Sequence, residues 1–204
     1  ISKCGKCGFR FTNPRPEANE LGRYYQSTDY ISHSDARKGL FASVYQLVRK
    51  YTLSRKYALL RKYHQQGKIL DIGCATGQFL HYMESRGWEA AGIEPDEKTR
   101  NRAISEFGLK VFPEEQLDVF EQSSFDVISM WHVLEHVSAL DQRMDQLKRL
   151  LKPGGTLVIA LPNCDAHDAL KYGKFWAGYD VPRHLYHFTS TDVESLFGKY
   201  GFKM

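Results

Sequence analysis

Apolar residues recur along the chain in two rhythms. From Gly39 to Gln66 the period is helical: Leu40, Val44, Leu47, Val48 and Tyr51 keep the i, i+4, i+7, i+8, i+11 spacing of one face. After a break at Thr52–Ser54, Tyr57, Leu60, Tyr63 and His64 continue the stripe, and this helix is expected to pack on the domain C-terminal to it. From Lys68 onward the apolar residues come in short runs: "KILDI" (68–72), "EAAGIE" (89–94), "LKVF" (109–112), "FDVISM" (125–130) and "TLVIALP" (156–162). Each run is nearly continuous, as expected of parallel strands covered on both faces. Helices are predicted between them over 76–86, 96–107, 114–120 and 140–151. The last carries Leu140, Met144, Leu147 and Leu151 on one face and stops at "KPGG". Val193, Leu196, Phe197 and Tyr200 mark one more amphipathic helix before "GFKM", where a further strand is expected to begin. This alternation predicts an α/β, Rossmann-like, doubly wound and mostly parallel sheet with right-handed crossovers.

Composition narrows the picture. A length of 204 residues suits one domain with a small appendage, and 42% hydrophobic residues supply a sizeable core. The expected division is an irregular N-terminal region (1–38) and a main domain (39–204), the latter split into an N-terminal helical segment (39–66), a ligand-binding core (67–163) and an acceptor-side insertion with the C-terminal helix (164–204). No apolar run reaches membrane-spanning length and no secretory pattern opens the chain, so a cytoplasmic protein is expected. The net charge of +4 is mild. Its densest stretch, "RKYTLSRKYALLRK" (49–62), reads as a solvated helix face or a phosphate-binding or nucleic-acid patch; the mild total argues against a nucleic-acid partner.

The four cysteines are too scattered for a disulfide scaffold. Cys4 and Cys7 form a C-x-x-C knuckle. It supplies two of the four ligands that structural zinc needs, so it is either half of a zinc ribbon, with a second cysteine pair outside this sequence, or a metal-free turn.

The chemistry concentrates after the first main strand, in "DIGCATG" (71–77). In an open α/β sheet, ligands bind at the carboxyl ends of strands, beside the switch in strand order. Gly73 and Gly77 let the backbone approach a ligand closely, and Ala75 nearly does so provided its φ is negative. A dinucleotide site wants G-x-G-x-x-G and a pyrophosphate over the helix N-terminus; this stretch lacks that spacing, which disfavours a nicotinamide-dependent oxidoreductase. Asp71 would repel pyrophosphate but suits a ligand carrying an ammonium group. Glu94, at the tip of the second strand, is placed to accept hydrogen bonds from both hydroxyls of a ribose.

These residues resemble the Rossmann-like class I methyltransferases that use S-adenosylmethionine. "DIGCATG" resembles that family's glycine-rich first motif, "GIEP" its ribose motif, "SFDVISMWHVLEHV" its fourth-strand motif and "LKRLLKPGGTLVIALPN" its fifth, in order from Lys68 to Asn163. Within the family the chain is similar to the ubiquinone-biosynthesis O-methyltransferase subfamily, and to bacterial members with a cysteine knuckle, "NPRP" (13–16), a Tyr24–Tyr25 pair and a "PRHLYHF" stretch (182–188). The resemblance implies that Asp71, Gly73, Cys74, Ala75 and Gly77 hold the methionine end of S-adenosylmethionine and Glu94 its ribose. It implies that Pro95 and the 114–117 stretch, Glu115 within it, flank the adenine, and that Trp131 and His132 close over the cofactor. The fold normally ends in an antiparallel pair of edge strands, so the chain is expected to be a fragment or to continue beyond Met204.

Other constellations compete. "HVLEH" (132–136) matches the H-x-x-E-H zinc-protease pattern, which needs both histidines on one helical face; here it directly follows a strand. His136 either packs under the sheet edge or, with Glu135, lies near substrate or a divalent cation. The segment 171–188 is aromatic and follows the fifth strand, where the fold places an acceptor; it either packs an insertion or lines that pocket. In the second reading His184, His187 or His136 removes a hydroxyl proton. Tyr24, Tyr25 and Tyr30 form a lid or pack in the core. The expectation is an S-adenosylmethionine-dependent methyltransferase, O-directed, acting on a sugar, lipid-linked or quinone-like small molecule. The alternative is a non-catalytic protein binding the cofactor or nucleic acid.

Overall fold

The computed structural model describes residues 1–17, 20, 23–24 and 40–204, with the backbone alone for 40–43. Tyr25 and Tyr30 of the expected lid, and Gly39, lie outside the described residues; Tyr24 is exposed. The chain forms two compact units: Ile1–Tyr30 with Trp131–Lys148 and Ile159–Met204, and Ile31–Met130 with Arg149–Val158.

In chain order the elements are β1 (Ser2–Lys3), β2 (Arg10–Phe11), α1 (Leu40–Leu60), β3 (Lys68–Ile72), α2 (Gln78–Glu84), β4 (Glu89–Ile93), α3 (Glu97–Phe107), β5 (Lys110–Phe112), α4 (Gln116–Val119) and β6 (Phe125–Trp131). They continue with α5 (Leu140–Leu150), β7 (Leu151–Ala160), α6 (His167–Tyr172), β8 (Tyr186–His187) and α7 (Ser190–Lys199).

The main sheet has the order β5-β4-β3-β6-β7. Its β3–β4, β3–β6 and β4–β5 ladders are parallel. The chain winds outward from β3 through β4 to β5, then crosses back to β6, so the switch in strand order lies beside β3. Ile69, Leu70, Ile72, Ile93, Val127, Ile128 and Met130 are buried on these strands. That burial explains their unbroken apolar runs, since parallel strands are covered above and below. Phe79, Leu80 and Met83 of α2 and Ala103 of α3 bury the helical side of the same unit. The Pro-Gly-Gly stop ends α5 at Leu150, with Met144 and Leu147 buried as its apolar face predicts.

Helix α1 departs from expectation twice. It runs unbroken through Thr52–Ser54, because Thr52 Oγ1 donates to Val48 O (2.9 Å) and Ser54 Oγ to Tyr51 O (2.7 Å), bonding each hydroxyl back to the preceding turn. Its stripe of Val44, Leu47, Val48 and Tyr51 is exposed rather than packed, at 58%, 72%, 56% and 64%. Burial falls at the other end of the helix, on Leu60, and Tyr57 meets Tyr82 edge-on at 5.9 Å. Helical spacing defines a face, not the partner that covers it. The basic stretch packs its guanidiniums on rings, Arg49 over Tyr45 (4.9 Å) and Arg61 over Tyr57 (5.8 Å), as on a solvated face.

The other unit holds a small sheet of order β1-β2-β8. Strand β2 pairs antiparallel with β1 and β8, Arg10 facing His187 and Phe11 facing Tyr186. Thr12 N donates to Leu185 O (2.9 Å), and Phe9 packs on Tyr186 and Phe188, with ring centres 5.9 and 5.4 Å apart. The "LYHF" segment is therefore a strand partner of the N-terminal hairpin, a pairing across the chain length that no local pattern announces.

The turn between β3 and α2 closes onto the tip of β4. Gly73 N and Cys74 N both donate to Ile93 O, at 2.8 and 3.0 Å. The chain reverses through left-handed φ values at Gly73 (74°), Ala75 (49°) and Gly77 (76°). The negative φ expected of Ala75 is thus corrected: its N–H must reach Glu94 Oε2 (2.9 Å), and the turn takes the left-handed conformation to deliver it. Gly92 on β4 pairs with Asp71, and a Cβ there would sit 2.6 Å from Cys74 Sγ and 2.5 Å from Leu80 Cδ1.

Two substitutions test this packing. Gly92→Ala forces the buried Cys74 and Leu80 aside and lowers stability by about 1–3 kcal/mol, read as a drop in the urea midpoint; an unchanged midpoint would show that the turn does not press on β4. Ala75→Gly removes a left-handed strain of about 1–2 kcal/mol, partly offset by about 0.4–1 kcal/mol of added chain entropy when unfolded. A modest rise in midpoint at constant m-value is the expected result.

Candidate active site

Two acids occupy the tips of neighbouring central strands. Asp71 is 2% exposed and pairs across the sheet with Gly92 and Ser129. Ser129 Oγ donates to Asp71 Oδ1 at 2.5 Å. Burial nevertheless dominates and pushes the Asp71 carboxyl up to about 7, against the Ser129 hydrogen bond and the Lys56 charge, which both pull it down. Lys56 on α1 is itself held below its ordinary value by burial. Glu94 is raised by burial as well; its Oε2 accepts from Ala75 N and its Oε1 from Asp96 N (3.0 Å). Arg100 Nη1 braces the same tip by donating to Glu94 O (2.7 Å) and Pro95 O (3.0 Å). A carboxylate offers about four lone-pair sites, so Glu94 can still accept from a ligand.

Asp71, Gly73, Cys74, Ala75, Gly77 and Glu94 are therefore brought together. Cys74 lies buried in the turn, and burial with the two neighbouring acids drives its thiol far above the usual range, making it an inert wall rather than a nucleophile. Pro95 is exposed at the start of the β4–α3 connection, and Glu115 is exposed just before α4. Ser129 and Lys56 were not singled out from sequence. The register of β6 against β3 would have found Ser129; nothing local points to Lys56.

The second unit contains the histidines. Trp131 ends β6, and His132 follows it in the left-handed region (φ 58°), its N–H donating to Ala160 O at 2.9 Å and its side chain 64% exposed. The residues Leu134–His136 form a single 3-10 turn, so "HVLEH" does not place two histidines on one helical face and lacks the protease geometry. Glu135 is 1% exposed, and neither carboxylate oxygen has a hydrogen-bond partner among the described residues. Its closest charged approach is His132 Nδ1 at 3.7 Å.

His136 and His184 touch edge to face, with ring centres 4.6 Å apart. His136 Nδ1 lies 3.0 Å from Arg183 O and His184 Nδ1 2.9 Å from Gly178 O. Carbonyls only accept, so each Nδ1 carries a proton, and in the neutral ring the lone pair is on Nε2. Thr12 Oγ1 donates to His184 O (2.6 Å) and, having one hydrogen, accepts from His187 Nε2 (3.1 Å). Burial holds His136 below its ordinary value and takes His187 down to about 4, so His187 is neutral at pH 7. Thr12, absent from the sequence reading, joins the two histidines of "RHLYH" through β2. Beside it a cavity of about 300 Å³ is lined in part by Phe9, Phe11, Arg15 and Tyr186.

In the knuckle, Cys4 N donates to Phe9 O (2.8 Å) and Gly8 N to Cys4 O (3.0 Å), and the Cys4 thiol is lowered by the backbone N–H groups of Cys7 and Lys6. Among the described residues no third metal-ligating side chain joins Cys4 and Cys7; Glu135, His136 and His184 form the one such cluster. The knuckle alone thus does not complete a zinc centre here.

Comparison with known proteins agrees with this geometry. A family described as methyltransferase domain matches residues 45–204. The chain is 32% identical over 105 residues to a ubiquinone biosynthesis O-methyltransferase of Azoarcus sp. (strain BH72), covering 47% of this chain and 44% of that protein. It is 32% identical over 98 residues to the sterol 4-C-methyltransferase strm-1 of Caenorhabditis elegans, covering 44% of this chain and 29% of that one. The aligned stretch thus spans less than half the length of these curated relatives. Among solved structures, a SAM-dependent methyltransferase from Archaeoglobus fulgidus superposes with a TM-score of 0.63 at 20% identity, over 76% of this chain and 69% of that one. A phosphoethanolamine N-methyltransferase 2 of Haemonchus contortus in complex with S-adenosyl-L-methionine gives 0.56 at 20% identity, over 73% and 36%. With its strand order, its glycine turn and its family match over most of its length, the chain belongs to the methyltransferase domain family, in the Rossmann-like class of S-adenosylmethionine-dependent enzymes.

Proposed function

We propose that this protein transfers the methyl group of S-adenosylmethionine to a hydroxyl oxygen of a small-molecule acceptor. The observation that carries the reading is the pair of strand-tip acids, buried Asp71 and half-buried Glu94, flanking the Gly73–Gly77 turn. Asp71 receives the ammonium of the methionine end, and Gly73, Cys74, Ala75 and Gly77 leave room for its backbone approach. Glu94 accepts from the ribose hydroxyls, with Pro95 and Glu115 flanking the adenine. An O-directed reaction on a quinone-like, sugar or lipid-linked acceptor is supported by the ubiquinone-biosynthesis relatives, whose aligned stretch is about a hundred residues.

The transfer is an in-line displacement. The acceptor oxygen forms a bond to the methyl carbon as the carbon–sulfur bond breaks, and the sulfonium leaves as a neutral thioether without an acid. Alignment and desolvation supply most of the acceleration, up to roughly 7–11 kcal/mol. In this reading one histidine, His184, His187 or His136, takes the hydroxyl proton, a step worth about 10²–10⁴-fold.

Incubation with labelled methyl donor and a panel of catechols, sugars and lipid-linked phenols should label at least one hydroxyl; a panel left unlabelled, with the donor bound, would favour a non-catalytic binder. Asp71→Asn and Glu94→Gln each replace a charge-assisted hydrogen bond to a ligand group by a neutral one, so calorimetry should show cofactor affinity reduced roughly 10- to 150-fold for Asp71→Asn, equivalent to about 1.5–3 kcal/mol.

The pH dependence has a defined sign. The folded Asp71 carboxyl holds its proton up to about 7, against 3.8 for the ordinary group. Folded protein therefore binds the extra proton between those values, and the stability this group contributes is present below pH 3.8 and lost as pH rises toward 7. Pairing with an ammonium demands the ionised form. Cofactor affinity should rise about tenfold per pH unit below 7 and level off above it, a slope that Asp71→Asn abolishes and Ser129→Ala shifts to higher pH.

A further inference from the structure

The carboxylate of Glu135 stands out among the buried polar groups of the histidine-bearing unit. It is 1% exposed, both oxygens are without a hydrogen-bond partner among the described residues, and His132 at 3.7 Å lies beyond hydrogen-bond reach with a side chain 64% in solvent. A buried carboxylate is retained when something positive meets it. One donor atom each from Glu135, His136 and His184 lies within 4.8 Å of the other two. We propose that Glu135, His136 and His184 form a binding site for a divalent transition-metal ion of the zinc class.

The ring tautomers support this reading. Arg183 O and Gly178 O take the Nδ1 protons of His136 and His184, so the ligating lone pair of each ring is on Nε2. A main-chain carbonyl behind an imidazole is the usual second partner of a metal-bound histidine, fixing both tautomer and ring orientation. Asp180 Oδ2 stands 3.7 Å from His184 Nε2. The Arg183 guanidinium already pairs with Asp180, its Nε donating to Oδ1 at 3.0 Å, so the carboxylate left without a hydrogen-bond partner among the described residues is that of Glu135. A divalent ion would meet this carboxylate and one ring nitrogen from each histidine together.

The donor set selects the ion. Two imidazoles and one carboxylate are borderline ligands that suit zinc, cobalt, iron or manganese and disfavour magnesium and calcium, which prefer oxygen. Tetrahedral zinc brings such donors to about 3.4 Å from one another, given bonds near 2.0–2.1 Å, a contraction that side-chain rotation can supply. Three protein ligands leave a fourth position open, as in catalytic rather than structural zinc. A hydroxyl taken there would ionise more readily, its proton passing to solvent, with His136 and His184 then serving as ligands rather than as the base. That use rests on the acceptor reading above; the binding of the ion does not.

The test uses the full chain, stripped with chelator, dialysed and titrated with Co²⁺ and then Zn²⁺. One equivalent of Co²⁺ should give visible d–d bands without near-ultraviolet sulfur-to-metal charge transfer, and Zn²⁺ should displace it. Glu135→Gln and His184→Gln should each weaken binding at least ~10-fold, while the Cys4→Ser/Cys7→Ser double variant binds as the parent does. A sulfur charge-transfer band lost in the double-serine variant would place the ion at the knuckle and overturn the proposal, as would no uptake at all. Unchanged affinity in both Glu135→Gln and His184→Gln would overturn it as well. Should either variant lose its circular dichroism, the cobalt spectra of the parent and the double-serine protein still decide. Intact ion binding without methyl transfer to any hydroxyl would count against the acceptor reading and leave the site standing.

Discussion

Ionising a carboxyl group that water scarcely reaches costs free energy, and the strand tips around the Gly73–Gly77 turn are organised around that cost. Asp71 is 2% exposed at the carboxyl end of the central strand, and one short bond from Ser129 does not restore its ordinary acidity. A ligand bearing a cation recovers what burial withholds. The same desolvation that makes the empty group reluctant to ionise strengthens its attraction for an ammonium. The turn from Gly73 to Gly77 keeps that group in place, tied to the next strand through Ile93 O and Glu94. Left-handed backbone at three alternating positions is the geometric consequence, and Ala75 bears it without the freedom of glycine.

The histidine-bearing unit has a different electrostatic logic. His187 is buried and held neutral, and main-chain carbonyls and the single hydrogen of Thr12 orient His136, His184 and His187. A neutral ring presents a lone pair rather than charge. Glu135 adds a buried carboxyl group without a hydrogen-bond donor among the described residues, close to His136 and His184. The N-terminal hairpin contributes directly to this arrangement, because β2 carries Thr12 to the β8 segment that holds His187.

Much of the fold is legible along the chain. β3 spans Lys68–Ile72 as its apolar run predicts, and β4, β5 and β6 each fall within a residue of expectation, because parallel strands buried on both faces need unbroken apolar runs. The acids at the tips of β3 and β4 are legible too, since strand ends in such a sheet converge on the ligand. Helix α1 shows where this reading fails: its stripe has the right period, yet Val44, Leu47, Val48 and Tyr51 face solvent. Periodicity records which residues share a face and carries no information about what that face meets.

The sequence by itself determined the order of strands and helices, the glycine turn and the two strand-tip acids, because these follow from local periodicity and from backbone demands within a few residues. Only the tertiary structure decided that Ser129 serves Asp71, that Ala75 takes a positive φ, and that Thr12 links His184 to His187. It also decided that Glu135 and its neighbour His136 meet His184 from a distant segment of the chain. These depend on register and on chain segments separated by 19 to 175 positions. Hydrogen bonds and charge pairs act over a few ångströms of space, and nothing in the spacing of residues along a chain encodes which distant segment will arrive there.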